Sequence, residues 1–175
     1  MVDLRDKVVQ DRGILAKIQS VIPGFSGYRA NEDLRAADDM LRIQVADRLA
    51  SIRGDLEACR TILMDSGQFE GLDKIGVLVS KFKATEGEIR HAAQGYSGIS
   101  AKVKVGEAQL NKLYEYDLSM IDLLAEIRAE VDKIRPLAAT GGLDYKQALA
   151  QLAIKLDGLQ GTSKRRMAYI TGTEV

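Results

Sequence analysis

Residues 107–137 read EAQLNKLYEYDLSMIDLLAEIRAEVDKIRPL, and the spacing of their apolar side chains decides the fold class. Leu110, Leu113, Met120, Leu124, Ile127, Val131 and Ile134 stand in a series of three- and four-residue steps, with Asp117 taking the one remaining place. Such steps keep side chains on one face of a helix with 3.6 residues per turn, so the stretch predicts a long amphipathic helix with a heptad seam. An isolated helix gains little stability of its own, and a seam of this kind calls for partner helices.

The rest of the chain supplies them. Leu4, Val8, Asp11, Leu15, Ile18 and Ile22 repeat the pattern in a first helix over about Asp3–Val21. Leu72, Ile75, Val79, Phe82, Glu86, Ile89 and Ala93 repeat it in a third, about Leu72–Ala93, and Tyr145, Leu149, Leu152, Leu156 and Leu159 in a fifth, about Asp144–Arg166. The second helix, about Ala30–Asp65, differs: Leu41, Ile52 and Leu63 recur every 11 residues, a period that keeps a helix nearly straight. At about 50 Å it outlasts its neighbours, so part of it is expected to project. The composition agrees with helix: aromatic residues make up 5% of the 175, and there are two prolines and no tryptophan.

Stop signals divide the helices at Gly67, Gly95 and Gly141-Gly142, and Asn31, Asp33 and Asp144 are suited to cap helix starts. Pro136 lacks a backbone donor and is expected to end or kink the fourth helix near Arg135. The chain also resembles itself. Gly24-Phe25-Ser26-Gly27 is matched by Gly95-Tyr96-Ser97-Gly98, and the stretch Asp47–Arg53 by Asp122–Arg128. The expected architecture is therefore an all-α antiparallel bundle, with two duplicated αα-hairpins making four helices and a fifth, C-terminal helix covering a face or an end. One domain is expected over 1–168, followed by a tail over 169–175.

Charge and cysteine content narrow the setting. Lysine and arginine total 25, as do aspartate and glutamate, which argues against a dedicated nucleic-acid binder. The single cysteine, Cys59, cannot form an internal disulfide, and the opening residues carry charges where a signal peptide would be apolar. No uncharged apolar run approaches the ~20 residues that span a bilayer. A cytoplasmic protein is expected.

The acids inside the seams are the candidate site. Asp11, Asp38, Asp39, Arg42, Glu86 and Asp117 fall at similar heights if the helices form hairpins, and so define one polar layer. Buried ion pairs would make that layer a device that fixes register. Carboxylates alone would make it a divalent transition-metal site, and Glu88 with His91 has the Glu-x-x-His spacing of di-metal bundles. Such a site takes two of these motifs, however, and the chain has one histidine. The ion-pair reading is preferred, with no cofactor.

Two further features are read as structural. The glycines around Ser26 and Ser97 do not make a nucleophile elbow, and Phe25 and Tyr96 are expected to plug the bundle end. Lys164, Arg165 and Arg166 form the one three-residue basic run, suited to a helix C-terminus, with a weak anion-contact patch as the alternative. The function expected is a non-enzymatic helical scaffold or adaptor, acting on a protein partner or on itself. The alternative is a metal- or small-ligand-binding bundle, of oxidoreductase or metal-storage type.

Overall fold

The computed structural model describes the backbone of residues 4–28, 31–92 and 107–172, and the side chains of 12–28, 35–92 and 108–172. Among these residues there are five α-helices: α1 (Leu4–Val21), α2 (Asn31–Asp65), α3 (Leu72–His91), α4 (Glu107–Thr140) and α5 (Gly142–Thr171). A short 3-10 turn, Phe69–Gly71, leads into α3, and no strand occurs among the described residues. The protein is an all-α bundle. Among the described residues, no helix is long and apolar enough to cross a membrane.

The short connections determine which helices pair. Gly67 closes α2 with a left-handed turn at φ 71°, in which Gln68 N–H donates to the Leu63 carbonyl and Gly67 N–H to that of Met64. Gly141 alone separates α4 from α5. Links this short force antiparallel neighbours, so the hairpins are α2/α3 and α4/α5. Arg128 of α4 reaches Asp55 of α2, and the two hairpins lie side by side.

Ion pairs from α3 and the 3-10 turn that leads into it to α5 fix the remaining side of the bundle. Glu70–Lys146, Lys81–Asp157 and Glu88–Lys164 each join residues 76 apart in the chain. A constant offset means that α3 and α5 run in the same direction. Helices α2 to α5 thus form a closed ring, α2 touching α3 and α4, and α5 touching both of these. The helix outside the ring is α1, which packs on α4. The expected roles of the first and fifth helices are therefore exchanged, because the shortest link in the chain makes α5 the partner of α4.

The seams fill the interior. Leu41, Val45, Leu49, Leu56, Cys59 and Leu63 of α2, Phe82 and Ile89 of α3, Met120, Ile127 and Ile134 of α4, and Leu152, Leu156 and Leu159 of α5 are fully buried. From Ala37 to Leu63, α2 is covered along its length, so the expected projection is not found there. Pro136 neither ends nor breaks α4, which continues to Thr140. Pro136 is exposed, so the carbonyl that loses a partner can face water, and buried Ala138 anchors the last turn. Phe25 is buried at the bundle end as expected, whereas Gly95–Gly98 lies outside the described residues.

Candidate functional site

Two features of this frame are candidates: a buried polar cluster at one end, and an apolar groove on the α3/α5 side.

The cluster is centred on Arg166. Its guanidinium donates through Nε to Asp117 Oδ1 at 2.5 Å, through Nη1 to Asp38 Oδ1 at 2.5 Å, and through Nη2 to the Tyr28 hydroxyl oxygen at 2.9 Å. The Tyr28 hydroxyl donates to Asp117 Oδ2 at 2.5 Å. Arg42 closes the other side: Nε donates to Asp38 Oδ2 at 2.8 Å, Nη2 to Asp39, and Nη1 to the carbonyls of Ile89 and Arg90 at the end of α3. One guanidinium therefore holds α4 and α2 to α5, and the other ties α2 to the last turn of α3.

A close backbone approach completes the cluster. Tyr28 N–H donates to the Tyr114 hydroxyl at 2.9 Å, beside Gly27 at φ 89°. A Cβ at Gly27 would lie 2.7 Å from that hydroxyl, so only glycine fits there. Tyr28 itself is 2% exposed, with its ring edge-on to Phe25 and tilted against Tyr114.

Burial dominates the electrostatics. It pushes Asp38 up, but Arg166 and Arg42 together outweigh it and hold that carboxyl below the ordinary range. Complete burial raises Asp117 despite Arg166 and the Tyr28 hydroxyl. Burial, and then the Asp117 charge, push the Tyr28 phenol far up. Burial also works against the Arg166 charge, but Asp117, Tyr28 and Asp38 more than compensate and keep the guanidinium protonated. The acceptor oxygens in this cluster are thus taken by cations and a hydroxyl of the chain itself.

The sequence-derived residues are distributed unevenly with respect to this cluster. Asp117, Arg42, Asp38 and Asp39 belong to it, with Asp39 half exposed at its rim. Glu86 does not: it accepts from Arg53 at 3.3 Å. Glu88 lies on the surface, bonded to Gln160 and Lys164, and His91 is exposed. The Asp11 side chain lies outside the described residues. Among the described residues, no three His, Cys, Asp or Glu side chains converge to hold a metal ion.

Arg166 requires the largest correction. Read from sequence as part of a surface run, it is 1% exposed and is the charge on which the cluster depends. Only Lys164 and Arg165 of that run face outward. A signal for this was present: the α5 seam of Tyr145, Leu149, Leu152, Leu156 and Leu159, continued in alternating steps of four and three, reaches Ser163 and then Arg166. The α2 seam continued backward from Val45 likewise reaches Arg42 and Asp38.

The groove lies where α3 and α5 run side by side. It has a volume of about 390 Å³ and is lined by Val77 and Leu78 of α3 and by Leu149, Ala150 and Ala153 of α5, with Asp73, Lys74 and Lys146 at one end. The two alanines leave it open. Val77 is 69% exposed, and Ile154, one turn beyond Ala150, is 61% exposed. Phe69 and Leu143, at the heads of the same two elements, are also exposed. No protein-family model matches the chain, and no curated protein or solved structure is significantly similar to it.

Proposed function

We propose that the protein is a helical scaffold, not an enzyme, that works by presenting the α3/α5 face to another protein chain. The observation that carries this reading is the uncovered apolar strip along the groove. Four of the seven large hydrophobic side chains exposed among the described residues, Phe69, Val77, Leu143 and Ile154, belong to the α3/α5 side or its head. A concentration of this kind marks an interaction surface more often than scattered exposure does. The polar cluster supports the reading indirectly, because its carboxylates are engaged in holding helices together and not in presenting a reactive group. A cytoplasmic setting is part of this proposal, supported by a single cysteine, Cys59, which leaves no internal disulfide to form.

Photo-crosslinking tests the reading. A benzophenone side chain is placed at Val77 or at Ile154, with exposed Asp122 of α4 as the control position. After illumination in living cells, the same discrete protein adduct is expected from both groove positions, at least fivefold above the control. Equal yield at all three positions would overturn it.

A further inference from the structure

The charges around the groove specify what can lie across it. On α3, Asp73 and Lys81 stand four residues to either side of Val77. On α5 the order of signs is reversed, with Lys146 before Ala153 and Asp157 after it. The 76-residue offset between the helices sets Val77 level with Ala153. The face is therefore apolar in the middle, with Asp73 and Lys81 bracketing Val77 on α3, where Lys74 adds a positive charge beside Asp73, and with Lys146 and Asp157 toward opposite ends of α5.

We infer that the occupant of this face is a second copy of the chain, packed across a two-fold axis that runs perpendicular to α3 and α5 and passes beside Val77. The inference rests on the scaffold reading above and names its partner. A rotation about that axis lays α3 antiparallel on α3 and α5 antiparallel on α5. Asp73 of each copy then meets Lys81 of the other, whereas on α5 Lys146, seven residues before Ala153, falls level with Gln160 of the other copy, and Asp157, four residues after Ala153, with Leu149. The two Val77 side chains meet at the axis, and the openings at Ala150 and Ala153 receive the Ile154 side chains.

Self-complementarity of this kind is what a two-fold contact requires, since each residue must suit the symmetry mate of its neighbour. The dimensions are adequate. Two helices over the 20 residues of α3 present a strip about 30 Å long and about 20 Å wide. A flat footprint of about 600 Å² corresponds to a larger accessible area once its side chains are counted, near the ~800 Å² per partner of an ordinary specific interface. Lys81 is not locked away by its internal 2.5 Å pair with Asp157, because its side chain is 31% exposed.

The test is a charge exchange on the full chain. Sedimentation equilibrium is expected to show a concentration-dependent dimer of the 19.2 kDa chain. Asp73→Lys sets Lys against Lys81 of the second copy, and Lys81→Asp sets Asp against Asp73, so each variant alone is expected to weaken the dimer at least about tenfold. Mixing the two restores opposite charges at both contacts and is expected to return the dimer as a one-to-one heterodimer. Val77→Glu, at an exposed position on the axis, is expected to abolish dimers while leaving helix content unchanged. A monomer at every concentration, or two weakened variants that fail to rescue each other, overturns the inference. An adduct at Val77 of any mass other than twice that of the chain also overturns it, while leaving the scaffold reading in place.

Discussion

Arg166 and Asp117 form an ion pair at 2.5 Å in which the side chains are 1% and 0% exposed. Taking both charges out of water is costly, and their attraction compensates only because Asp38 and Tyr28 occupy the remaining donors and acceptors. Removing one partner therefore leaves an uncompensated buried charge. Arg166→Met is expected to lower stability by about 3–5 kcal/mol, and Asp117→Asn by a comparable amount. Combining Arg166→Met with Asp117→Asn is expected to cost clearly less than the sum of the two single changes. Urea unfolding followed by circular dichroism gives all the values, and strict additivity would contradict the account.

The Tyr28 hydroxyl makes a separable contribution. It donates to Asp117 and accepts from Arg166, so Tyr28→Phe keeps the ring against Phe25 but leaves two buried partners short of one bond each. A loss of about 1–3 kcal/mol is expected in the same unfolding measurement. In an Arg166→Met background the loss is expected to shrink, because the hydroxyl then serves Asp117 alone.

The bundle was legible from its apolar periods, and the extent of the polar cluster was not, for reasons that particular residues make clear. A seam is read while it stays apolar. Reading therefore stopped at Leu159 in the fifth helix, so Arg166 fell outside it although the period runs through it, whereas Asp38 was reached by its height in the second helix. Lys164 and Arg165 gave Arg166 the look of a surface cation, because adjacency in sequence says nothing about which face of a helix a side chain takes. Asp117 was found because apolar residues flank it on both sides. Glu86 occupies the same kind of gap but lies near the edge of its helix face, where Arg53 can reach it. Pairing of the hairpins depended on link length: Gly141 alone connects two helices, a constraint stronger than the likeness between residues 47–53 and 122–128.

Asp38 gives the acid side of the stability curve a sign. Its carboxyl sits below the ordinary value in the folded chain because Arg166 and Arg42 outweigh the effect of burial. Between the folded value and the unfolded one of about 3.9, the unfolded chain binds more protons, so stability falls as pH falls through that window and is complete above it. Asp117, raised by burial, contributes in the opposite sense, its share diminishing as pH rises through its folded value. Asp38→Asn is expected to flatten the dependence of unfolding free energy on pH below about 4. The slope, and not the absolute stability, is the quantity to compare, and an unchanged slope would place the acid sensitivity elsewhere.

The turn between α4 and α5 yields a contrast between two glycines. Gly141 has φ 66° and ψ −152°, a region open essentially to glycine alone, and a Cβ there would lie 2.6 Å from the Gln68 side-chain oxygen. Gly54 sits inside α2 with nothing within 4 Å of where its Cβ would go. Gly141→Ala strains the backbone at the link that makes α5 the partner of α4, and a loss of about 1–3 kcal/mol is expected. Gly54→Ala removes only the freedom of the unfolded chain and exposed helix backbone, and a gain of about 0.4–1 kcal/mol is expected. Because the two substitutions are chemically identical, opposite signs in thermal unfolding isolate the conformational requirement at Gly141. Losses of similar size at both positions would instead mean that α2 does not tolerate a side chain at its exposed face, and with it that the packing of α2 described here is wrong.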